Sequence, residues 1–285
     1  MVKFLTGQKF KMNKLLLIKV LCLLLGAASV CRAGGCRVNS AGAEPKGGTE
    51  ANSVVRQGSP QVDTVLRQLK EKTAELKSYQ SGIKYRFSQP ILESETLRTG
   101  VMYYQKSGDR SALRINFQTL KQDDGEEEEY IEQYIFDGVW LTHIDYQIKE
   151  VRRYQQTEPN KPAEAFDLVR ENFPIIGFTR AEELSEQFEI ELVEQKGVKE
   201  EDYIRLHLKV KPDSVYKDDY TAIDFWIDKK LYLPAKIVAT STEDDIYEIR
   251  LLDAKVNEKI DAKVFEVKIP EGFGEEIIPL KQKGK

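Results

Sequence analysis

From about Tyr79 to Ile269 the chain repeats one pattern, apolar and polar residues alternating with a period of two. Ile83-x-Tyr85-x-Phe87, Leu113-x-Ile115-x-Phe117, Phe188-x-Ile190-x-Leu192, Ile204-x-Leu206-x-Leu208-x-Val210 and Ile223-x-Phe225-x-Ile227 are its clearest stretches. Successive strand side chains point to opposite faces, so each stretch has one greasy side and one wet side, as an antiparallel sheet buried on one face requires. The pattern predicts strands over about 83–90, 96–105, 111–120, 130–136 and 139–148, then 187–194, 202–211, 221–227, 231–240, 245–254 and 264–269. So many strands cannot lie in one flat sheet, and strong curling toward a half-barrel is expected. The fold class is α+β and mainly antiparallel β.

Between the two groups of strands the period changes. Pro162 to Phe173 reads as a helix with Phe166, Val169 and Phe173 on one side, and Thr179-Arg180-Ala181-Glu182 as a capping box for a second short helix. The apolar segment from Phe173 to Phe178 between them carries two breakers, Pro174 and Gly177, and suits a plug or a lid. Before the strands, Ser59 and Pro60 form an N-cap and a first helical residue, and Val62, Val65, Leu66, Leu69 and Leu76 recur at helical spacing. Asp137-Gly138 marks a two-residue hairpin turn, with both residues expected at positive φ. Asp123 to Glu129 reads as a solvated acidic loop, and Pro234 places the strand after Asp228-Lys229-Lys230 at an edge or beyond the proline.

Residues 1–36 carry a basic stretch (Lys9, Lys11, Lys14) followed by an apolar run to Val30 that is too short to span a bilayer comfortably, the layout of an export leader. A retained anchor helix is the alternative. Residues 37–58 are rich in Gly, Ala, Asn and Ser and read as a polar tether, leaving residues 59–285 as the folded domain. All three cysteines, Cys22, Cys31 and Cys36, precede that domain, so its core is held by burial alone. Ala33-Gly34-Gly35-Cys36 has the small residues that precede a lipid-modified cysteine. A lipid-anchored product acylated at Cys36 and a freely soluble periplasmic one both remain open.

The chain has 43 basic and 47 acidic residues. Loss of residues 1–36 removes six basic residues and no acidic one, which leaves a clearly acidic body and argues against nucleic acid as a partner. Catalysis finds no support, because the folded part has no nucleophile elbow, phosphate loop or cysteine. His143 and His207 lie in alternating strands without neighbours at metal-ligand spacing and read as surface residues, so neither a metal nor a cofactor is expected.

Seven segments in order resemble the LolA superfamily of lipoprotein carriers: Tyr85-Arg86-Phe87-Ser88-Gln89, Gly100 to Tyr104, Leu113 to Phe117, Phe136-Asp137-Gly138-x-x-Leu141, Ile223 to Asp228, Leu233 to Ile237 and Phe265 to Phe273. Their order and spacing agree from about Val62 to Phe273, nearly all of the mature body. The resemblance implies an incomplete barrel whose mouth helices cover, a periplasmic location, and a cavity that shields the acyl chains of lipoproteins or lipids during transfer. An inner-membrane releasing complex and an outer-membrane acceptor are the partners it implies. The same scaffold also serves envelope sensors and surface lipoproteins that bind a protein partner, which is the alternative reading. Candidate cavity residues are Tyr85, Phe87, Val101, Tyr103, Leu113, Ile115, Phe117 and Phe225 from the strands, with Phe166, Phe173, Ile176 and Phe178 from the insert. Where many members use an arginine to hold the lid, this chain has Lys106, a point charge without the planar fork.

Overall fold

A computed structural model describes residues 54–56, 59–165, 181–193 and 202–280, all within the compact unit Ser53–Lys285. Strand β1 (Val54–Arg56) precedes helix α1 (Pro60–Ala74). A first meander follows: β2 (Ser78–Gln89), β3 (Ser94–Ser107), β4 (Arg110–Gln122), β5 (Glu127–Phe136), β6 (Trp140–Asp145) and β7 (Glu150–Gln155). After the insert come α2 (Ala181–Gln187) and a second meander: β8 (Phe188–Val193), β9 (Tyr203–Val210), β10 (Tyr220–Asp228), β11 (Pro234–Ser241) and β12 (Ile246–Val256). A short strand β13 (Gly274–Ile278) closes the order.

All thirteen strands form one sheet, ordered β1-β8-β9-β10-β11-β12-β2-β3-β4-β5-β6-β7-β13. The two meanders are joined side by side where β12 pairs antiparallel with β2. The sheet curls without closing, as the strand count led us to expect, because β1 and β13 end the order and do not pair with each other. It is one continuous hydrogen-bonded sheet. Among the described residues no helix is long and apolar enough to cross a membrane, which says nothing about strands.

Register fixes which side chains share a face, since directly opposed residues point the same way. Tracing the pairs across the sheet gives one inner face: Ile190, Leu208, Ile223 and Ala239 in one row, and Leu192, Leu206, Phe225, Ile237, Ile249, Tyr85 and Arg98 in the next. Further along stand Gly100 with Phe117, Met102 with Ile115 and Tyr134, and Tyr104 with Leu113 and Phe136. Helix α1 begins as read: Ser59 caps it by accepting from the Val62 amide at 3.3 Å, and Val62, Val65, Leu66 and Leu69 are buried beside β8 and α2, whereas Leu76, expected on the same helical stripe, is buried just beyond the helix end at Ala74.

The outer face is wet over most of its extent but not behind β4 to β7. There Ile135, Ile144 and Val151 form a second small core, covered by Tyr146, Val267 and Phe273. This explains why Val264–Ile269, expected as a strand, is not one. Residues Ala262–Phe265 make a 3₁₀ turn, and Arg114 donates to the carbonyls of Val264 (2.8 Å) and Glu266 (3.2 Å), replacing a neighbouring strand. The apolar alternation is used to dock a strap on a sheet.

Other expectations also shift. Strand β7 is not visible in the pattern, because Val151 and Tyr154 are its only apolar residues and point to opposite faces, each buried. Residues Val54–Arg56 of the tether pair with β8. Glu127 to Glu129 belong to β5 and not to a loop, leaving a tight turn at 123–126. The β5–β6 hairpin turns at Gly138-Val139, one residue later than expected, with Phe136 opposite Leu141. Of the two central residues Gly138 alone has positive φ (98°), the requirement of a type II′ turn, and the Asp137 carboxylate accepts from the amides of Val139 and Trp140. Pro234 opens β11, a central strand, at the first position where a missing N–H is tolerated. Residues 162–164 are not helical, and the expectation for 166–180 lies outside the described residues, the capping Thr179 included; α2 follows where its helix is expected.

Candidate functional site

Tyr85, Phe87, Leu113, Ile115, Phe117 and Phe225 share the inner face, and all but the half-buried Ile115 are buried. Gly100 is what lets their rings meet. It stands between Ile83 and Phe117 in register, and with no side chain there the Phe117 ring reaches across β3 to Tyr85, 6.3 Å between centroids. Phe117 also meets Tyr134 edge-on at 6.5 Å, and Phe87 packs on Tyr247 at 5.0 Å. Val101 and Tyr103 lie on the opposite face, across from Asn116 and Arg114. In β3 both Val101-x-Tyr103 and Met102-x-Tyr104 alternate, so the sequence offers two phases, and pairing selects the second, which buries Met102 and Tyr104. Phe166, Phe173, Ile176 and Phe178 lie outside the described residues, as does Cys36.

The inner face is not uniformly apolar. From β8 to β12 it is built mainly from Ile, Leu, Phe and Ala, with Tyr247 beside Phe87, whereas near the β4–β5 turn it carries a buried polar cluster. Arg98 (2% exposed) donates to the Glu132 carboxylate (0% exposed) at 2.9 Å. The other oxygen of Glu132 meets His143 Nε2 at 2.9 Å and accepts from the Tyr134 hydroxyl at 2.7 Å. Tyr134 stacks on the His143 ring, 4.6 Å between centroids, and the Arg98 guanidinium lies 5.0 Å over Tyr130. Burial alone would raise the Glu132 pKa; the hydrogen bond from His143 and the charge of Arg98 outweigh it and hold the carboxyl below its ordinary range. Burial, then the Glu132 charge, pushes Tyr130 up to about 12 and Tyr134 further.

His143 is therefore no surface residue. Strand β6 is buried on both faces, Leu141 through Asp145 all lying inside, because the C-terminal strap covers one side and the inner face the other. Sequence reasoning misses the cluster, although His143-x-Asp145 puts two polar groups on one face of a strand and the Gly138 hairpin sets Glu132 directly opposite Asp145. His207 is half-buried on the outer face, bonded to Asp224 at 3.1 Å.

Lys106 has a partner. Its ammonium lies 2.7 Å from Glu164, at the point where the chain leaves the described part of the insert. The Tyr104 hydroxyl also bonds to Glu164, and burial followed by that charge raises its pKa. Beside them the amide of Ala163 donates to the Gly138 carbonyl at 2.8 Å, and the amide of Ala165 to the Ser111 hydroxyl at 2.6 Å. Thus β3, β4 and the β5–β6 turn hold residues 163–165 from three sides.

No family model matches the chain, and no curated protein does. Similar solved structures include an uncharacterized conserved protein from Thermus thermophilus, with 10% identity over 76% of this chain and 99% of that one and a TM-score of 0.45. MucB in the MucA/MucB complex of Pseudomonas aeruginosa shares 12% over 73% of this chain and 61% of that one, TM-score 0.43. A LolA superfamily protein, NE2245 from Nitrosomonas europaea, shares 15% over 72% of this chain and 97% of that one, TM-score 0.31. The superfamily that the sequence motifs resemble is thus represented among the similar folds. At these scores none of the three carries weight for function.

Proposed function

We propose that this protein is a non-enzymatic carrier that shields the acyl chains of lipids or lipoproteins against the inner face of its sheet, in the periplasm. The observation that supports this most is the continuity of that face. One unclosed sheet carries Ile190, Leu206, Phe225, Ile237, Ile249, Tyr85 and Phe117 on a single continuous apolar face. Each methylene left in water costs about 0.8 kcal/mol, so a chain of about sixteen carbons loses on the order of 12 kcal/mol of favourable burial unless something covers it. A curled sheet with a removable cover supplies that burial reversibly. The Lys106–Glu164 ion pair, at the root of the insert, is proposed to hold the cover's stem. The apolar residues Phe166, Phe173, Ile176 and Phe178 are proposed as the cover. Loading and unloading then call for a releasing complex at the inner membrane and an acceptor at the outer one.

The test is direct. Lipid extracted from the purified protein is identified by mass spectrometry, and a fluorescent fatty acid is titrated into the delipidated protein. Phe117→Lys and Phe225→Lys, retained only if circular dichroism shows native folding, are expected to weaken probe binding at least tenfold. Undiminished binding in folded variants, together with no co-purified lipid, rules the reading out.

A further inference from the structure

We propose that Glu132, His143 and Asp145 form a binding site for a divalent transition-metal cation of the zinc type. One ligating atom from each of the three lies within 4.8 Å of the other two, and all three residues are buried. A tetrahedral ion with bonds of about 2 Å holds its donors about 3.3 Å apart, so small side-chain rotations close the site. Imidazole nitrogen with two carboxylate oxygens is a donor set that zinc accepts.

A second observation points to a missing positive charge. Asp145 is 4% exposed, and its hydrogen bonds are those that Oδ1 accepts from the amides of Gln147 (2.8 Å) and Ile148 (3.3 Å). Among the described residues it has no ion-pair partner, and its other oxygen accepts no hydrogen bond from them. A buried carboxylate is costly unless a positive group compensates it. The nearby guanidinium of Arg98 is committed to Glu132 through Oε2. A cation seated among the three residues supplies the charge that Asp145 lacks.

The surroundings suit it. The Tyr134 hydroxyl donates to the Glu132 oxygen that faces His143, and its ring stacks on the imidazole, which fixes the orientation of both ligands. Arg98 keeps Oε2 occupied and leaves Oε1 toward the ion, in the manner of an outer partner that orients a ligating carboxylate. Binding exchanges the His143–Glu132 hydrogen bond for two coordination bonds, and the hydrogen that Nε2 donates in that bond moves to Nδ1 or leaves to solvent. The site cross-links β5 to β6, next to the inner face, and does not depend on whether the protein carries lipid.

The full-length chain, with Cys22, Cys31 and Cys36 alkylated so that thiols do not compete, is equilibrated with zinc sulfate, freed of excess by gel filtration and analysed for retained metal, with affinity from calorimetry. One zinc per chain is expected, with affinity reduced more than about tenfold in His143→Ala and in Asp145→Asn. His207→Ala, which removes the other imidazole, is expected to bind as the parent does. If His143→Ala does not fold, cobalt(II) added to the parent and to Asp145→Asn gives a second readout. Visible d–d absorption should appear in the parent and weaken in the variant. Absence of retained zinc, an adventitious ion only (released equally from parent and Asp145→Asn), or loss in His207→Ala overturns the proposal.

Discussion

Arg98 and Glu132 reach over the intervening strand β4 to meet at 2.9 Å, each almost wholly shielded from water. A buried ion pair contributes little compared with apolar residues of the same shape, yet removing one member strands the other. Arg98→Met is therefore expected to lower the unfolding free energy by about 3–5 kcal/mol, read as a fall in the urea midpoint with an unchanged slope. The double variant Arg98→Met/Glu132→Leu should cost less than the sum of the two single changes, since the second removes the stranded charge. Strict additivity would show that the two side chains do not depend on each other.

Gly100 has no room for a side chain against the backbone of β4. A Cβ placed there would lie 1.9 Å from the Asn116 carbonyl oxygen and 2.8 Å from the Phe117 Cα, and neither backbone atom can swing aside. The pairing of β3 with β4 shifts at this point, between Thr99 and Gly100, which draws the two strands together. Gly100→Ala must push β4 away or break the register, an overpacking cost of about 3 kcal/mol or more, on the high side of the usual range. Thermal unfolding of the variant checks it. A melting temperature within a degree of the parent would mean that the strands separate freely here.

Much of the fold could be read from alternation because most of the strands are buried on one face and wet on the other, the case in which a period of two carries information. Reading failed where that condition failed. Strand β7 is buried on both faces with only two apolar residues, and the strap from Ala262 to Phe273 alternates without pairing over its first part. In β3 two phases compete, and the choice between Val101-x-Tyr103 and Met102-x-Tyr104 is made by register with Ser81 and Ile115, which no local pattern encodes. The site shows the same division. Tyr85, Phe87, Leu113 and Phe117 were legible as one greasy face, whereas the polar cluster needs three strands in register, Arg98 from β3, Glu132 from β5, and His143 with Asp145 from β6.

Lys106 and Glu164 are both partly exposed, so their ion pair contributes little to global stability, about 0.2–1 kcal/mol. Its effect should be local. Lys106→Ala removes one of the groups holding residues 163–165, leaving the Tyr104 hydroxyl, the Gly138 carbonyl and the Ser111 hydroxyl. Hydrogen exchange at the amides of Ala163 and Ala165 is expected to quicken several-fold while β2 and β12 stay protected, because local opening is governed by local contacts. Raising the salt concentration should quicken the parent in the same way and the variant hardly at all. Equal exchange in parent and variant would remove Lys106 from any role in holding the insert's stem.

His207 and Asp224 give the outer face a pH dependence whose direction follows from their surroundings. The hydrogen bond to Asp224 raises the His207 pKa above its ordinary 6.5, more than burial and Arg205 lower it. Burial would raise the Asp224 pKa, but the His207 hydrogen bond and the Arg205 charge hold it below its ordinary 3.8. A group whose folded pKa is raised stabilises fully below its unfolded value and loses that contribution as pH rises through the folded one. One whose pKa is depressed stabilises above its unfolded value and loses it as pH falls through the folded one. The pair is therefore at full strength between pH 3.8 and 6.5 and weakens above that range as His207 loses its proton. The histidine is about one-third exposed and screened accordingly, which limits the contribution to less than about 1 kcal/mol. Urea unfolding of the parent and of His207→Ala at pH 5.5 and pH 8.5 isolates it, since every other titrating group is common to both proteins. The stability difference between parent and variant should be larger at the lower pH; a difference that is constant, or larger at the higher pH, would show that the imidazole is not held as a cation by Asp224.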